Sequence, residues 1–497
     1  MDIVEESIKI HDKHQFEFKF TYPVDPSAKN AEYFVETYFF IPNNLGVDYK
    51  TYTKEEFYND TQKYIRLKTP AVLLKNILAE ALNSPFKPLE KSMKELVNNP
   101  KNEGCVYNYK YHLKMFCSIF KSAARDEETF IEDLTNQEEI SLFIDNFLAN
   151  TDRIIRKFRA LKNIVHVPSL EQKHYALFLF ADEYLSLMLD KYKYKLLFFL
   201  KRIEIKDKKR LNAEVLKRIH DEIVYRKSQS YPSIPDENSD NEALIYRMST
   251  LKKIMGSILF LKTRTSREGK FLEQWSMGLG AGVAMAFATG VAFLSRWQLN
   301  DFTLTFFISL VIAYIFKDRI KELTRSYIYN KVQKYIYDHK TTIFSNPGKK
   351  IGFCRESFSF IQEKNLPENI KKLRNKDYIT ELDNGYVGEN IMYSKRHIKI
   401  YCGKCKTLFN DFNVDGINDI IRFNIRHFLN KMDNPEKRLF MPDSNDAIKR
   451  IRGARVYHLN LVLKYVLPDN SDAFRHFRII LNRDGIKRIN EAKTTTI

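Results

Sequence analysis

The chain reads as an α+β protein, mainly α-helical: a cytoplasmic helical bundle on a two-helix transmembrane hairpin, with N-terminal β-strands and a small C-terminal α+β domain. Three observations predict this. An uncharged run, "WSMGLGAGVAMAFATGVAFL" (Trp275–Leu294), is followed after a polar turn by a second, "FTLTFFISLVIAYIF" (Phe302–Phe316). Basic residues crowd the outer flanks of this pair. Alternating apolar segments stand near both chain ends, while spacings of three and four fill the middle. The divisions that follow are 1–68, β-rich; 69–274, helical; 275–316, the hairpin; 317–338, a membrane-proximal helix; and 339–497, a basic α+β domain.

The first strand is "QFEFKFTY", which puts Phe16, Phe18, Phe20 and Tyr22 on one face. Pro23, Asp25 and Pro26 break it, and "EYFVETYFFI" (Glu32–Ile41) is a second strand. Thr69-Pro70 supplies a cap and a first helical residue for "AVLLKNILAEAL". Tyr107–Ala124 is a further helix. The capping box "TNQE" at Thr135 opens a longer one, in which Ile140, Ile144, Phe147, Ile154, Phe158 and Leu161 form a seam with Thr151 as its polar exception. Leu170–Arg202 is its antiparallel partner. A second box, "SDNE" from Ser239, opens the seam Leu244, Met248, Leu251, Met255, Ile258, directed toward the membrane.

A helix of 20 uncharged residues rises about 30 Å, the thickness of a bilayer's hydrocarbon core. The second run has 15 residues and needs Leu299 and the Lys317 stem, or a thinned bilayer, to cross. Lys262, Arg264, Arg267 and Lys270 precede the first run, and Lys317, Arg319, Lys321, Arg325, Lys331 and Lys334 follow the second; only Arg296 lies between. Such a bias places the protein in the cell's inner membrane with both termini cytoplasmic, and Trp275 and Trp297 stand at interfacial positions. Gly278, Gly282, Ala286 and Gly290 form a small-residue stripe suited to helix packing and self-association; Gly280, Ala284, Ala288 and Ala292 form another. Neither run contains an ionisable residue, which argues against a proton relay. The second helix continues to about Tyr337.

In the last third, "ARVYHLNLVLKYVL" places Tyr457, Leu459, Leu461, Leu463 and Tyr465 on one face. The turn "PDNSD" leads to "FRHFRIIL", which closes at Arg483–Gly485; helices are expected at Pro367–Lys376 and Ile417–Lys431. Alternation at both ends is compatible with N- and C-terminal strands sharing one sheet.

Chemistry is sparse. No P-loop, dinucleotide fingerprint, nucleophile elbow, HExxH or kinase signature occurs. "DFNVDGINDIIR" starts like a calcium loop at Asp411, Asn413 and Asp415, but Arg422 occupies the closing position and a helix cap at Asp415 is the simpler reading. Cys402 and Cys405 form a lone CxxC without the second pair of a structural zinc site. No cofactor is expected.

The net charge of +19 is uneven: residues 340–497 hold 30 basic and 18 acidic side chains, a surplus of 12. Lys449, Arg450, Arg452 and Arg455 are its densest cluster, fitted to anionic lipid headgroups. "KRIEIKDKKR" (Lys201–Arg210) reads as a solvated face. The expected partners are therefore the lipid bilayer, its anionic headgroups and further copies of the chain. The functional expectation is an integral membrane scaffold, sensor or effector, non-enzymatic. The alternatives are a membrane-tethered nucleic-acid-binding protein acting through its basic C-terminal domain, and a membrane-bound enzyme with no readable motif.

Overall fold

The computed structural model describes residues 8–25, 27–79, 84–298, 304–333, 336–345, 348–374, 388–406, 412, 414–442, 448–466 and 472–492. The opening MDIVEES segment, the PDNSD turn up to Ser471, Phe302, Thr303, Lys334, Asp411 and Asn413 lie outside the described residues. In chain order the elements begin with β1 (Lys9–Asp12), β2 (Gln15–Pro23), β3 (Ala31–Pro42), α1 (Lys54–Asp60), β4 (Thr61–Leu67), α2 (Phe86–Asn98), α3 (Glu103–Asp133), α4 (Gln137–Ala160), α5 (Lys162–Val165), α6 (Gln172–Arg202), α7 (Lys208–Ser228) and α8 (Glu242–Gly256). They continue with β5 (Lys262–Arg267), α9 (Lys270–Gln298), α10 (Leu304–Gln333), β6 (His339–Phe344), β7 (Lys350–Ile361), α11 (Glu368–Arg374), β8 (Glu389–Ile400), β9 (Gly416–Asn424), β10 (Glu436–Pro442), β11 (Ile448–Ala454), β12 (Tyr457–Val466), β13 (Asp472–Asn482) and β14 (Gly485–Ala492). The chain divides into two compact units: residues 1–65, 262–405 and 419–497 form one, and residues 66–261 and 406–418 the other.

The first unit is built on two sheets. Eight antiparallel strands run in the order β14-β13-β12-β3-β8-β7-β6-β5, and four more in the order β1-β2-β9-β4. Their inner faces meet through aromatic rings: Phe39 of β3 lies within 6.3 Å of Phe16 and Phe18 of β2 and 5.2 Å from Phe423 of β9. Period-two alternation is what makes this work, because Phe16, Phe18, Phe20 and Tyr22 all point inward and all are buried. Each offset or edge-on ring pair adds about 0.5–1.5 kcal/mol beyond area burial. The N- and C-terminal alternating segments do share a sheet, with Tyr465, Leu463 and Leu461 opposite Val35, Thr37 and Phe39. The other face of β3 and β12 is covered by α11, whose Ile370 and Leu373 pack on Tyr38, Phe40 and Val462. At the β13–β14 turn Gly485 has φ +129°, and a Cβ there would overlap the Lys13 carbonyl oxygen, so glycine is required.

The second unit is helical. The α4 seam is buried throughout, Thr151 included, whose hydroxyl donates back to the Phe147 carbonyl at 2.8 Å. Buried charges pair at two places in this unit: Arg159 bridges Asp182 at 3.1 Å and Glu222 at 2.8 Å, and Arg226 meets Asp190 at 2.5 Å.

Several expectations are corrected. The fold is not a mainly helical protein with minor β segments; helix accounts for 51% and strand for 28%, in sheets of up to eight strands. The small C-terminal domain is not separate, since β12 pairs with β3. The two-helix transmembrane hairpin is not supported. Among the described residues one helix, Gln274–Trp297, is long and apolar enough to cross a membrane. Of the second run, Leu304–Phe316 lies in the described helix α10, too short a stretch ahead of Lys317, Asp318, Arg319 and Lys321 to reach that length. No α-helix starts at Pro70: only a 3-10 turn, Leu74–Asn76, forms there, because buried Leu74 and Ile77 are fixed by core packing. Ile417 opens no helix either. Its segment is β9, with Ile417, Asp419, Ile421 and Phe423 buried at period two, and only Arg426–Leu429 is helical. The N-caps of α4 and α8 are Asn136 and Asn241, each one or two residues beyond the expected cap.

Candidate functional site

Two long helices, α9 and the half-apolar α10, interrupt one β-hairpin. β5 and β6 are antiparallel neighbours, Thr265 opposite Thr341, and α9 and α10 stand between them in the chain. The helices pack along each other through small residues: Ala284 and Ala313 are buried, Ser295 and Ser309 hydroxyls lie 2.6 Å apart, and a Cβ at Gly280 would sit 3.0 Å from the Lys321 carbonyl. The stripe predicted for helix packing behaves differently. At Gly278, Gly282 and Gly290 a Cβ would meet nothing within 4 Å, and Gly278, Gly282 and Ala286 line an open groove with Trp275 and Val283. Around it α9 exposes Met285, Phe293 and Leu294, and Trp297 is 88% exposed; α10 exposes Phe307, Ile312 and Phe316. A contiguous apolar surface of this kind is rare on a protein face that meets only water.

The predicted anionic-partner residues fall on or beside a two-stranded ribbon. Lys449, Arg450 and Arg452 belong to β11, which among the described residues pairs with β10 alone, and Arg455 follows it. Cross-strand pairing puts Arg438 opposite Arg452 and Phe440 opposite Arg450, so three guanidinium groups flank one aromatic ring on one face. The other face carries Lys437, Leu439, Met441, Lys449 and Ile451. Phe440 and Ile448 are exposed to 62% and 77%. Arg455 is bound to Asp433 at 2.8 Å, and Arg452 lies 3.8 Å from Glu436. A ribbon with cations and apolar side chains on both faces is suited to an interface that is anionic outside and apolar beneath.

The metal candidates do not converge. Asp415 accepts from Lys68 Nζ at 2.8 Å rather than capping a helix. Cys402 and Cys405 are free thiols in a five-residue helix; burial raises both, Cys405 to about 12, the reverse of a reactive thiolate. Among the described residues no group of three or more His, Cys, Asp or Glu side chains is placed to hold a metal ion.

What the sequence did not disclose is a buried polar cluster between the two sheets of the first unit. Glu356 of β7 accepts from Arg396 Nε at 2.8 Å and is also held by Lys63 of β4. Arg396 reaches Asp419 of β9 at 2.7 Å with Nη2, and its Nη1 is buried without a hydrogen-bond partner. Beside it Asp338 accepts from Lys54 at 2.7 Å, Tyr58 Oη at 3.0 Å and the Phe358 amide at 2.8 Å. Burial alone would raise the Glu356 carboxyl, but the charges and hydrogen bonds of Lys63 and Arg396 outweigh it and hold it at about 2. Burial and then Lys63 lower His339, and burial raises the Cys354 thiol. A cavity of about 250 Å³ adjoins the cluster. The only signal available was alternation of polar residues, Thr61 with Lys63 and Thr263 with Thr265, in segments that look like solvated strand faces.

No family model matches the chain, and no curated protein or solved structure matches it.

Proposed function

We propose that this protein is attached to the cell membrane through α9 and acts there as a scaffold, sensor or effector rather than as an enzyme. The observation that carries the reading is the uncovered apolar surface of Gln274–Trp297, a 24-residue helix of which 11% of the most apolar window is buried. Anionic lipid would attract the basic flank Lys262–Lys270, which leads into this helix, at about 1 kcal/mol per cation. The cations of the ribbon β10–β11 offer a second contact with anionic lipid. Washing membranes with alkaline carbonate and then detergent tests attachment. Protein that stays in the pellet until detergent is added supports it; release by carbonate removes the membrane reading and leaves α9 to be covered by protein.

Self-association is a second reading, favoured by the open groove over Gly278, Gly282 and Ala286. Nucleic acid is the weaker partner for the ribbon, because Phe440, Met441 and Ile448 project among its cations. Binding of the full chain to anionic vesicles and to duplex DNA over a salt series separates the two; a fragment 340–497 would not serve, since it lacks β3.

A further inference from the structure

We infer that the cavity between the sheets of the first unit is a binding site for a small oxyanion, inorganic phosphate or a compact carboxylate. The inference is independent of membrane attachment. The strand register builds the wall. Thr265 of β5 lies opposite Thr341 of β6, which lies opposite Cys354 of β7; two residues along, His339 lies opposite Glu356, which lies opposite Arg396 of β8. Period-two alternation therefore turns these side chains to one face, and Thr61 and Lys63 of β4 line the cavity from the other sheet. The result is a pocket rich in hydroxyl and cationic donors at the edge of a sheet.

The unengaged donors favour an anion. Lys63, Arg396 and the carboxylate Glu356 line the cavity, and a second carboxylate, Asp419, balances the charge by pairing with Arg396 Nη2 at 2.7 Å; both Glu356 oxygens are already engaged, Oε1 by Arg396 and Oε2 by Lys63. Arg396 is 4% exposed, yet its Nη1 has no hydrogen-bond partner, and neither has His339 Nδ1, which belongs to a second lining residue. A buried guanidinium nitrogen left without an acceptor costs free energy unless something accepts from it. An oxyanion can do so while the hydroxyls of Thr265 and Thr341, 2.9 Å apart, turn to donate. At about 250 Å³ the space suits a molecule smaller than a nucleotide.

The test is calorimetric titration of the full-length chain with inorganic phosphate and, separately, succinate, on wild type and on Thr265→Val, Thr341→Val and Lys63→Met. Saturable binding of either anion that weakens about tenfold in each variant is expected, because each removes one donor to a charged acceptor. The two valine changes are isosteric and solvent-accessible, so unchanged thermal unfolding of the unliganded variants shows that the fold is retained even if Lys63→Met is unstable. Absence of saturable binding for both anions overturns the inference. So does binding that the valine variants leave unaltered, which would mean the anion sits elsewhere on a basic surface.

Discussion

Replacing Glu356 with glutamine keeps its shape and removes its charge, and the structure sets the size of the effect. The carboxyl is fully enclosed between Lys63 and Arg396 and titrates at about 2 instead of 4.5. At about 1.4 kcal/mol per tenfold change in acidity, that difference corresponds to about 3 kcal/mol of folding stability at neutral pH. The value belongs at the low end of the range for breaking a buried ion pair, about 3–5 kcal/mol. Two features of the site explain why. Arg396 keeps Asp419 as a partner, and Lys63, with its side chain 25% exposed, can turn toward water. The pH dependence has a definite sign. The folded carboxyl is the stronger acid, so its contribution is complete above about pH 5 and is lost as pH falls through 2. The gap between wild type and Glu356→Gln should therefore shrink to less than half by about pH 3. Denaturant unfolding followed by circular dichroism at pH 7, 5 and 3 measures it. A gap under about 0.5 kcal/mol at pH 7, or one that does not change down to pH 3, refutes the assignment of stabilising charge to this cluster.

Other expectations follow from separate parts of the molecule. Gly282→Leu with Ala286→Leu fills the open groove on α9 and should lower the mass of the detergent-solubilised protein, measured by light scattering, if copies associate there; unchanged mass sinks that reading. Gly280→Leu acts on the opposite stripe, where a Cβ is already 3.0 Å from the Lys321 carbonyl, and should loosen α9 from α10, at a cost of about 1–3 kcal/mol read by thermal unfolding. Charge reversal by Arg450→Glu with Arg452→Glu should weaken flotation with anionic vesicles at least about tenfold while leaving neutral vesicles unaffected. In the helical unit Thr151→Val should stay within about 1 kcal/mol of wild type, because the lost hydroxyl bonds only carbonyls that the helix already uses.

The strands at both chain ends were legible because one face of each is largely aromatic or aliphatic and the other less so. Phe16 to Tyr22 carries that pattern without interruption; Tyr33 to Phe39 carries it apart from Thr37, with Phe34 and Tyr38 on the other face, and Leu459 to Tyr465 carries it with Val462 on the other face. The α4 seam was legible for the same reason at a different period. Where the reading failed, tertiary structure overrode a local preference. Asp415-Gly416 preceding an Ile-rich stretch looks like a cap and a helix, yet two isoleucines, a phenylalanine and Asp419 at period two fit the space between β2 and β4 better than a helix would. The second apolar run misled in another way: hydropathy reads composition, and fifteen apolar residues ahead of Lys317 make a half-apolar helix that need not span anything.

The buried cluster could not have been read at all, and the reason is physical rather than a matter of weak signal. Glu356 and Arg396 sit 40 residues apart, Lys63 and Glu356 293 apart, and their neighbours in sequence are the ordinary polar residues of strand faces. A sheet edge exposes one face of each strand to water unless another sheet covers it, and nothing local tells which strands will be covered. Here the cover is β4, whose Thr61, Lys63 and Ile65 alternate inward over β5, β6 and β7. Those polar side chains, which would be unremarkable on a solvated face, become an enclosed and nearly balanced set of charges once the second sheet lies over them. A buried ion cluster is often no more stable than a well-packed apolar core of the same volume, so stability alone gives little reason to keep one. An apolar replacement of Lys63, Glu356, Arg396 and Asp419 together, if it proved as stable as wild type while abolishing oxyanion binding, would separate the cluster's recognition role from any structural one.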